Sequence, residues 1–436
     1  GDAREVHGVA VVVLLAVVGG AVGVVVFGAQ PEEGGSDVLG ELGGQGDARA
    51  VRAAAVKAYA GFYEKNEPRL EEIWEELITI RNQMGKNLGY ANFIPVGYMQ
   101  QGRTDYGEKE VAAFREQVRT ELVPLCEQLY AAQAKRIGVD TLMFYDEKRV
   151  FPDGNAVPAG DDDFMVEEAR KISPETGEFI DFMIEHELMD LKNKPGKAAT
   201  GYMTFLPDYR APFVFSNFNQ TIFDMQVLTH ELGHAFAGYM AMREQPITEY
   251  YSESTDIAEI HSMSMEQFSY PYAEAFFGKY ADKFRFAHLQ EAITFVPFGV
   301  AVDEFQHICY ANPTPKERTA EWKKLEEKYM PWRKYDADDF FDRGGFWYHK
   351  LHIYLYPFYY INYTLTTMGA MEFKKKNYEN HETAWQDYLN LCKCGGSMSY
   401  LETLRYANLS NPFEPGSVAR AMEVAKQELM NSPFMR

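Results

Sequence analysis

Apolar residues return every three or four positions through Phe62–Met84, Val111–Ile137 and Phe179–Leu191, the period at which side chains come back to one face of a helix. The pattern predicts amphipathic helices over these stretches. Ser173-Pro174-Glu175 offers an N-cap hydroxyl, a proline suited to the first helical position and an early acidic residue, so a helix is expected from there to Asp190. Residues 154–163, with Pro, Gly and three consecutive aspartates, read as a loop leading into another helix. Gly201–Asn217 changes character: Tyr-Met-Thr-Phe and Phe-Val-Phe around Pro207 and Pro212 favour a small hairpin or meander. Helical patterning resumes at Phe223–Met240 and at Thr255 and dominates to the carboxyl terminus, with no repeat at solenoid periods. The expected fold class is mainly α with a small β-sheet.

Composition narrows the function classes. Hydrophobic residues at 46% and charged residues at 25% exclude disorder as the main state. A formal charge of -21 repels phosphate backbones and anionic headgroups, which argues against nucleic acid as a partner. Four cysteines, Cys126, Cys309, Cys392 and Cys394, are too few for a secreted disulfide framework, so a reducing, cytoplasmic setting is expected. Cys392-Lys-Cys394 lacks C-x-x-C spacing and reads as structural thiols.

Three regions are expected: an atypical segment over 1–55, a helical amino-terminal region over 56–195 and a catalytic region over 196–436. Residues 1–55 are rich in Gly, Val and Ala and hold no Lys, Tyr, Asn or Met. Gly8–Ala29 is uncharged and long enough for a membrane anchor, although Asp2, Arg4 and Glu5 in its flank do not make a secretory leader. The excess of residues whose codons begin with G suggests instead an out-of-frame or artificial stretch in place of a native amino-terminal region.

His230-Glu231-Leu232-Gly233-His234 fits H-E-x-x-H within one predicted helix. Residues four apart share a helical face, so both imidazoles can reach one metal ion, with Glu231 placed toward a water at that metal. A third protein ligand is needed, and Thr255–Glu259 opens a second amphipathic helix that offers a carboxylate. His186-Glu187 looks similar, but Asp190 stands where the second His would be, so it reads as a solvated face. His261 falls off the ligand face and suits a local hydrogen bond. His349 and His352 have no acidic or thiol partner nearby in sequence, which favours a single metal.

Four runs then carry a resemblance. Pro212-Phe-Val-Phe-Ser-Asn-Phe-Asn219, Leu228-Thr-His-Glu-Leu-Gly-His-Ala-Phe236, Asp256-Ile-Ala-Glu-Ile-His-Ser-Met-Ser-Met-Glu266 and His352-Ile-Tyr-Leu-Tyr-Pro-Phe-Tyr-Tyr-Ile-Asn-Tyr363 resemble, in order, the oligoendopeptidase F branch of the thimet oligopeptidase (M3) family of zinc metallopeptidases. The resemblance extends from about Asn66 to the carboxyl terminus. It implies a zincin-like fold and one zinc ion held by His230, His234 and Glu259, with Glu231 as general base and short peptides as substrates. It also implies substrate and oxyanion contacts from His352, Tyr360 and Tyr363, although Tyr359 with Tyr363 fits the spacing nearly as well. Gly201 and Tyr202 match the edge strand that pairs with substrate backbone. Thr200 and Gln220 replace glycines frequent in the family. Asp256 and Glu266 are candidates to hydrogen-bond a ligand imidazole from behind.

Relatives of this kind usually carry a longer helical roof, so a more open site and a less stable fold are expected. Two other functions remain open: a metallocarboxypeptidase, which needs a cation for the substrate's terminal carboxylate, and a catalytically silent peptide binder tethered through Gly8–Ala29. The ligand set also tolerates manganese or cobalt.

Overall fold

The computed structural model describes residues 49–160, 162–195, 197, 201–218 and 222–436. The anchor candidate Gly8–Ala29 and the departures at Thr200 and Gln220 lie outside the described residues. Among the described residues, no helix is long and apolar enough to cross a membrane.

The longer helices, in chain order, are α1 (Arg49–Asn87), α2 (Val123–Ile137) and α3 (Pro174–Glu185). Three strands follow: β1 (Met189–Lys192), β2 (Tyr202–Leu206) and β3 (Ala211–Phe218). Then come α4 (Ile222–Glu244), α5 (Thr255–Phe268), α6 (Ala281–Tyr310), α7 (Pro315–Tyr329), α8 (Ile361–Glu379) and α9 (His381–Cys394). A single continuous core runs through them and includes Trp74, Trp322 and Trp347. Helix α1 runs across position 55, and Arg49 and Arg52 in its first turn both bind the buried carboxylate of Asp146 at 2.7 Å.

The helix expected over Val111–Ile137 is interrupted. It widens into a π turn at Val118–Leu122 before α2, because Pro124 has no N–H to offer the carbonyl four residues earlier. Helix α3 starts as expected, with the Ser173 hydroxyl accepting from the Thr176 N–H at 3.0 Å. It ends at Glu185 rather than Asp190. Glu187 takes a positive φ of 53°, its N–H bonds the Ile184 carbonyl and the Leu188 N–H returns to the Met183 carbonyl, which is a Schellman ending. The apolar run continuing to Leu191 is therefore a strand: β1 pairs parallel with β3.

Strand β2 pairs antiparallel with β3 from Tyr202↔Phe215 to Leu206↔Ala211, giving the order β1-β3-β2. Its outer edge has no strand partner among the described residues. Helix α4 packs on β2 and β3 on one side and on α5 on the other, and α5 lies between α4 and α8. Both helix contacts are made at glycines. A Cβ on Gly233 would come within 2.6 Å of the Ser262 Cα, and one on Gly369 within 3.1 Å of Ile260. These close approaches set the spacing of the three helices that carry the site.

Candidate active site

The burial pattern of α4 decides where its histidines face. Leu232, Ala235 and Phe236 enter the core, which leaves His230 and His234 toward α5. The Glu259 Oε2 lies 3.0 Å from His230 Nε2 and 3.4 Å from His234 Nε2. Among the described residues these three form the one group of metal-ligating side chains, with one donor atom from each within 4.8 Å of the others. Burial pulls His230 down, yet the carboxylates of Glu259 and Glu266 outweigh it and hold the imidazole well above its ordinary range. Burial likewise pushes Glu259 up, and both histidines bring it well below the usual carboxylate range. Within this set the imidazole protons neutralise the carboxylates, the part that a metal cation would take over on displacing them.

Glu231 is 8% exposed and accepts no hydrogen bond from a described residue. Burial pushes its carboxyl up, and the two histidines pull it back only in part. Gly201 lies directly against it: a Cβ there would sit 2.7 Å from Val227 Cγ1 and 3.5 Å from Glu231 Oε1. Glycine thus lets the start of the edge strand approach the carboxylate. Tyr202 is 44% exposed and stacks on Phe215 at 4.9 Å.

The two acidic residues expected behind the ligands part company. Glu266 Oε1 lies 2.7 Å from His230 Nδ1, which leaves Nε2 toward Glu259. Asp256 turns away from the histidines, accepting from the Tyr106 hydroxyl at 2.7 Å and the Ser254 hydroxyl at 2.5 Å. Its place in the first turn of α5 aims it at the Tyr106 side, so an imidazole contact is not among its hydrogen bonds.

The aromatic run is not one helix. His352 sits on a short turn, Leu351–Leu355, and α8 begins only at Ile361. Between them Phe358 adopts a left-handed φ of 61°, uncommon for a bulky side chain. It is held there by its N–H to Gln306 Oε1 at 2.8 Å and by Arg103 donating to its carbonyl at 2.6 Å. Past this break the tyrosine rings stay together, Tyr363 lying 5.2 Å from Tyr359 and 5.5 Å from Tyr360, but their hydroxyls take different partners. Tyr359 donates to Glu259 Oε1 at 3.3 Å, and Tyr363 packs edge-on against Tyr359 at 5.2 Å. Tyr360 instead takes a hydrogen bond from Lys350 Nζ at 3.0 Å and packs on Phe295 and Phe298. Of the two tyrosine pairs open in the sequence, Tyr359 with Tyr363 is the one gathered at Glu259. A four-residue spacing was the only sequence signal for it.

The His352 ring lies 5.0 Å from Tyr360, 5.9 Å from Tyr359 and 6.1 Å from Tyr363. Burial, helped by the Lys350 charge, brings its pKa down to about 3, so the imidazole is neutral near pH 7. Its buried Nδ1 has no hydrogen-bond partner among the described residues. Lys350 itself falls to about 7 through burial and the charges of Lys148 and Arg333. It meets no carboxylate among the described residues, and nothing in the sequence pattern had marked it.

The remaining candidates are structural. His186 is exposed against Phe182, His261 Nδ1 lies 3.2 Å from Glu253, and the four cysteines are buried and free.

Comparison with known proteins identifies the family. The model of Peptidase family M3 matches residues 177–423. PZ peptidase A, solved with an inhibitor, is 43% identical, with 98% of this chain and 76% of that one covered at a TM-score of 0.88. A protein assigned as oligoendopeptidase F is 42% identical over 99% of this chain and 76% of its own, also at 0.88. Another so assigned, from Bacillus anthracis str. Ames, is 39% identical over 98% and 74%, at 0.82. No curated protein matches the chain. With more than half its length matched by the family model and relatives near 40% identity over nearly all of it, the chain belongs to peptidase family M3, in the oligoendopeptidase F branch, and is a metallopeptidase.

Proposed function

We propose that this metallopeptidase is a zinc-dependent oligoendopeptidase that hydrolyses internal bonds of short peptides. The observation that carries the reading is the convergence of two imidazole nitrogens and one carboxylate oxygen within 4.8 Å, beside a second, uncommitted buried carboxylate. Two nitrogens and one oxygen suit zinc and leave a fourth position for substrate or water. His230, His234 and Glu259 would hold the ion, which supplies Lewis acidity to the scissile carbonyl and makes water more acidic.

The chain's own residues divide the remaining work. The outer edge of β2, beginning at Tyr202 just after Gly201, pairs with the substrate backbone, which fixes a peptide without demanding particular side chains. Glu231 takes a proton from the attacking water and passes it to the leaving amine, and its raised pKa brings it nearer the operating pH of a general base. Tyr359, Tyr363 and neutral His352 present donors where negative charge develops on the carbonyl oxygen, and such donors act mostly in the transition state. Tyr360 contributes through Lys350 and the Phe295/Phe298 wall rather than by that contact.

One observation favours a metallocarboxypeptidase as the second reading: Lys350, two residues before His352, is a cation without a carboxylate partner among the described residues. Incubation with an amino- and carboxyl-blocked quenched nonapeptide, followed by mass analysis of the products, separates the two. Cleavage at an internal bond of the blocked peptide is expected. Shortening of only an unblocked peptide, one residue at a time from its carboxyl end, would overturn the endopeptidase reading.

A further inference from the structure

Behind the ligand cluster, a line of hydrogen bonds extends well past Glu266. Glu266 Oε2 lies 2.6 Å from His288 Nε2, and His288 Nδ1 lies 2.6 Å from the Tyr270 hydroxyl. The line joins α4, α5, the segment after α5 and α6, and its last two side chains are 5% and 6% exposed. Neither His288 nor Tyr270 touches the ligands themselves.

The polarity of the line follows from the chemistry of its members. His230 directs Nε2 at the cluster, so Nδ1 carries the proton and donates to Glu266 Oε1. An ionised carboxylate only accepts, so His288 donates to the other oxygen through Nε2. In the tautomer with its proton on Nε2, His288 presents Nδ1 as an acceptor, and the Tyr270 O–H is its donor. Each group therefore fixes the proton position of the next. The Tyr270 O–H sets the His288 tautomer, His288 pins one oxygen of Glu266, and Glu266 holds the proton on His230 Nδ1.

The far end is anchored independently. The His288 ring stacks on Phe284 at 5.4 Å. Lys374 Nζ lies 4.1 Å over the Tyr270 ring and pairs with Glu428 at 2.7 Å. Tyr270 is also held through its carbonyl, which accepts from Arg285 at 3.1 Å. These contacts give the carboxylate a rigid backstop, which a lone Glu266 on α5 would lack. Without His288, Glu266 Oε2 would be a buried acceptor with no partner, free to rotate toward another donor and release His230.

We propose that His288 and Tyr270 are positioning residues which, by fixing Glu266 and the His230 tautomer, set the affinity of the site for its metal. The inference rests on the reading of His230, His234 and Glu259 as metal ligands. Partners one step behind a metal ligand typically change affinity 10–100-fold.

The test is competition of the full-length, chelator-stripped protein with a chromogenic chelator for Zn2+, together with visible spectra of the Co2+ form. Wild type, His230→Ala, His288→Leu, His288→Gln and Tyr270→Phe are compared, with circular dichroism as the control for folding. Wild type is expected to bind one zinc and His230→Ala to lose it. His288→Leu should raise the zinc Kd by about 10–100-fold and shift the cobalt bands. His288→Gln, which keeps an N–H for Glu266, should recover most of the loss. Tyr270→Phe, which removes one oxygen, should weaken binding less than His288→Leu and decides the matter if His288→Leu does not fold. Folded His288→Leu and Tyr270→Phe proteins with wild-type Kd and wild-type cobalt spectra would overturn this inference alone. A wild-type protein that binds no zinc, or a His230→Ala variant that binds it equally well, would overturn the metal reading and this inference with it.

Discussion

Gly233 occupies the second x of H-E-x-x-H, so Gly233→Ala leaves every candidate ligand side chain chemically unchanged and alters only the distance between two helices. A methyl group on Gly233 meets the Ser262 Cα at 2.6 Å, the His261 carbonyl oxygen at 3.0 Å and the Met265 Cβ at 3.0 Å. Two of these contacts are backbone atoms and cannot rotate away. Non-bonded heavy atoms settle about 3.5–4.0 Å apart, so α5 must retreat by about 1 Å, and Glu259, one turn before Ser262, moves with it. Overpacking of this kind costs about 1–3 kcal/mol. Alanine recovers about 1 kcal/mol of that through its better helix propensity. The net loss of stability is therefore small, about 0–2 kcal/mol by the same two terms. The ligand geometry gains nothing from the propensity. A displacement of about 1 Å at a reacting centre costs on the order of 100-fold in rate. Thermal unfolding, zinc affinity and kcat/KM on a blocked peptide are the assays, and the expected pattern is a modest drop in Tm with a loss of about 100-fold in kcat/KM. A folded Gly233→Ala protein with wild-type zinc affinity and kcat/KM would refute the claim that this contact sets the site.

Glu231→Gln should keep zinc and lower kcat by about 10²–10⁴-fold, as removal of a general base does; undiminished turnover would exclude that role. The same substitution should stabilise the metal-free protein near neutral pH. Burial raises the folded pKa of Glu231, so ionisation there opposes folding, and the advantage should fade as pH falls toward about 4.3. Tyr359→Phe and Tyr363→Phe should each cut kcat more than Tyr360→Phe, and steady-state kinetics showing the reverse order would contradict the placement at Glu259. Glu326, away from the site, is pushed up to about 7, chiefly by burial. Its folded form holds a proton more tightly than the unfolded chain, so stability drains away as pH rises from about 4.3 to about 7. Glu326→Gln should remove that slope in urea titrations, and an equal gap between the two proteins at pH 4 and pH 8 would count against it.

The helical majority of the fold was legible because its apolar period is strong, and the two ligand helices because H-E-x-x-H and the Thr255–Glu259 start fix faces as well as elements. Strand β1 was not. Its apolar residues continue the period of α3, and only the left-handed turn at Glu187 separates them, a conformation that glutamate does not announce. Similarly, the apolar period carries straight through Pro124, and nothing local announces that a π turn at Val118–Leu122 interrupts the second long helix. At the candidate site, placements that follow from one helix face were readable: His230, His234 and Glu259 come together, with Glu231 beside them. Those whose role depends on tertiary approach were not. Asp256 and Glu266 look equivalent on a helical wheel, yet Tyr106 and Ser254 claim the first while His230 and His288 share the second. The choice between Tyr359 and Tyr360 turns on the left-handed Phe358, whose cause lies on α6 at Gln306 and before the π turn at Arg103. His288, Tyr270 and Lys350 had no local signal, since their partners are distant in sequence or are aromatic residues of the core.

The central claim is that one zinc ion at His230, His234 and Glu259 makes this chain an endopeptidase. The most direct measurement is a zinc titration of the chelator-stripped protein, read by hydrolysis of the blocked, quenched nonapeptide. The account predicts no cleavage at the start, a linear rise with added zinc and a plateau at one equivalent per chain, with Glu259→Gln remaining inactive at that ratio. Cleavage that is indifferent to zinc, or one bound zinc per chain with the blocked peptide left intact, would contradict it.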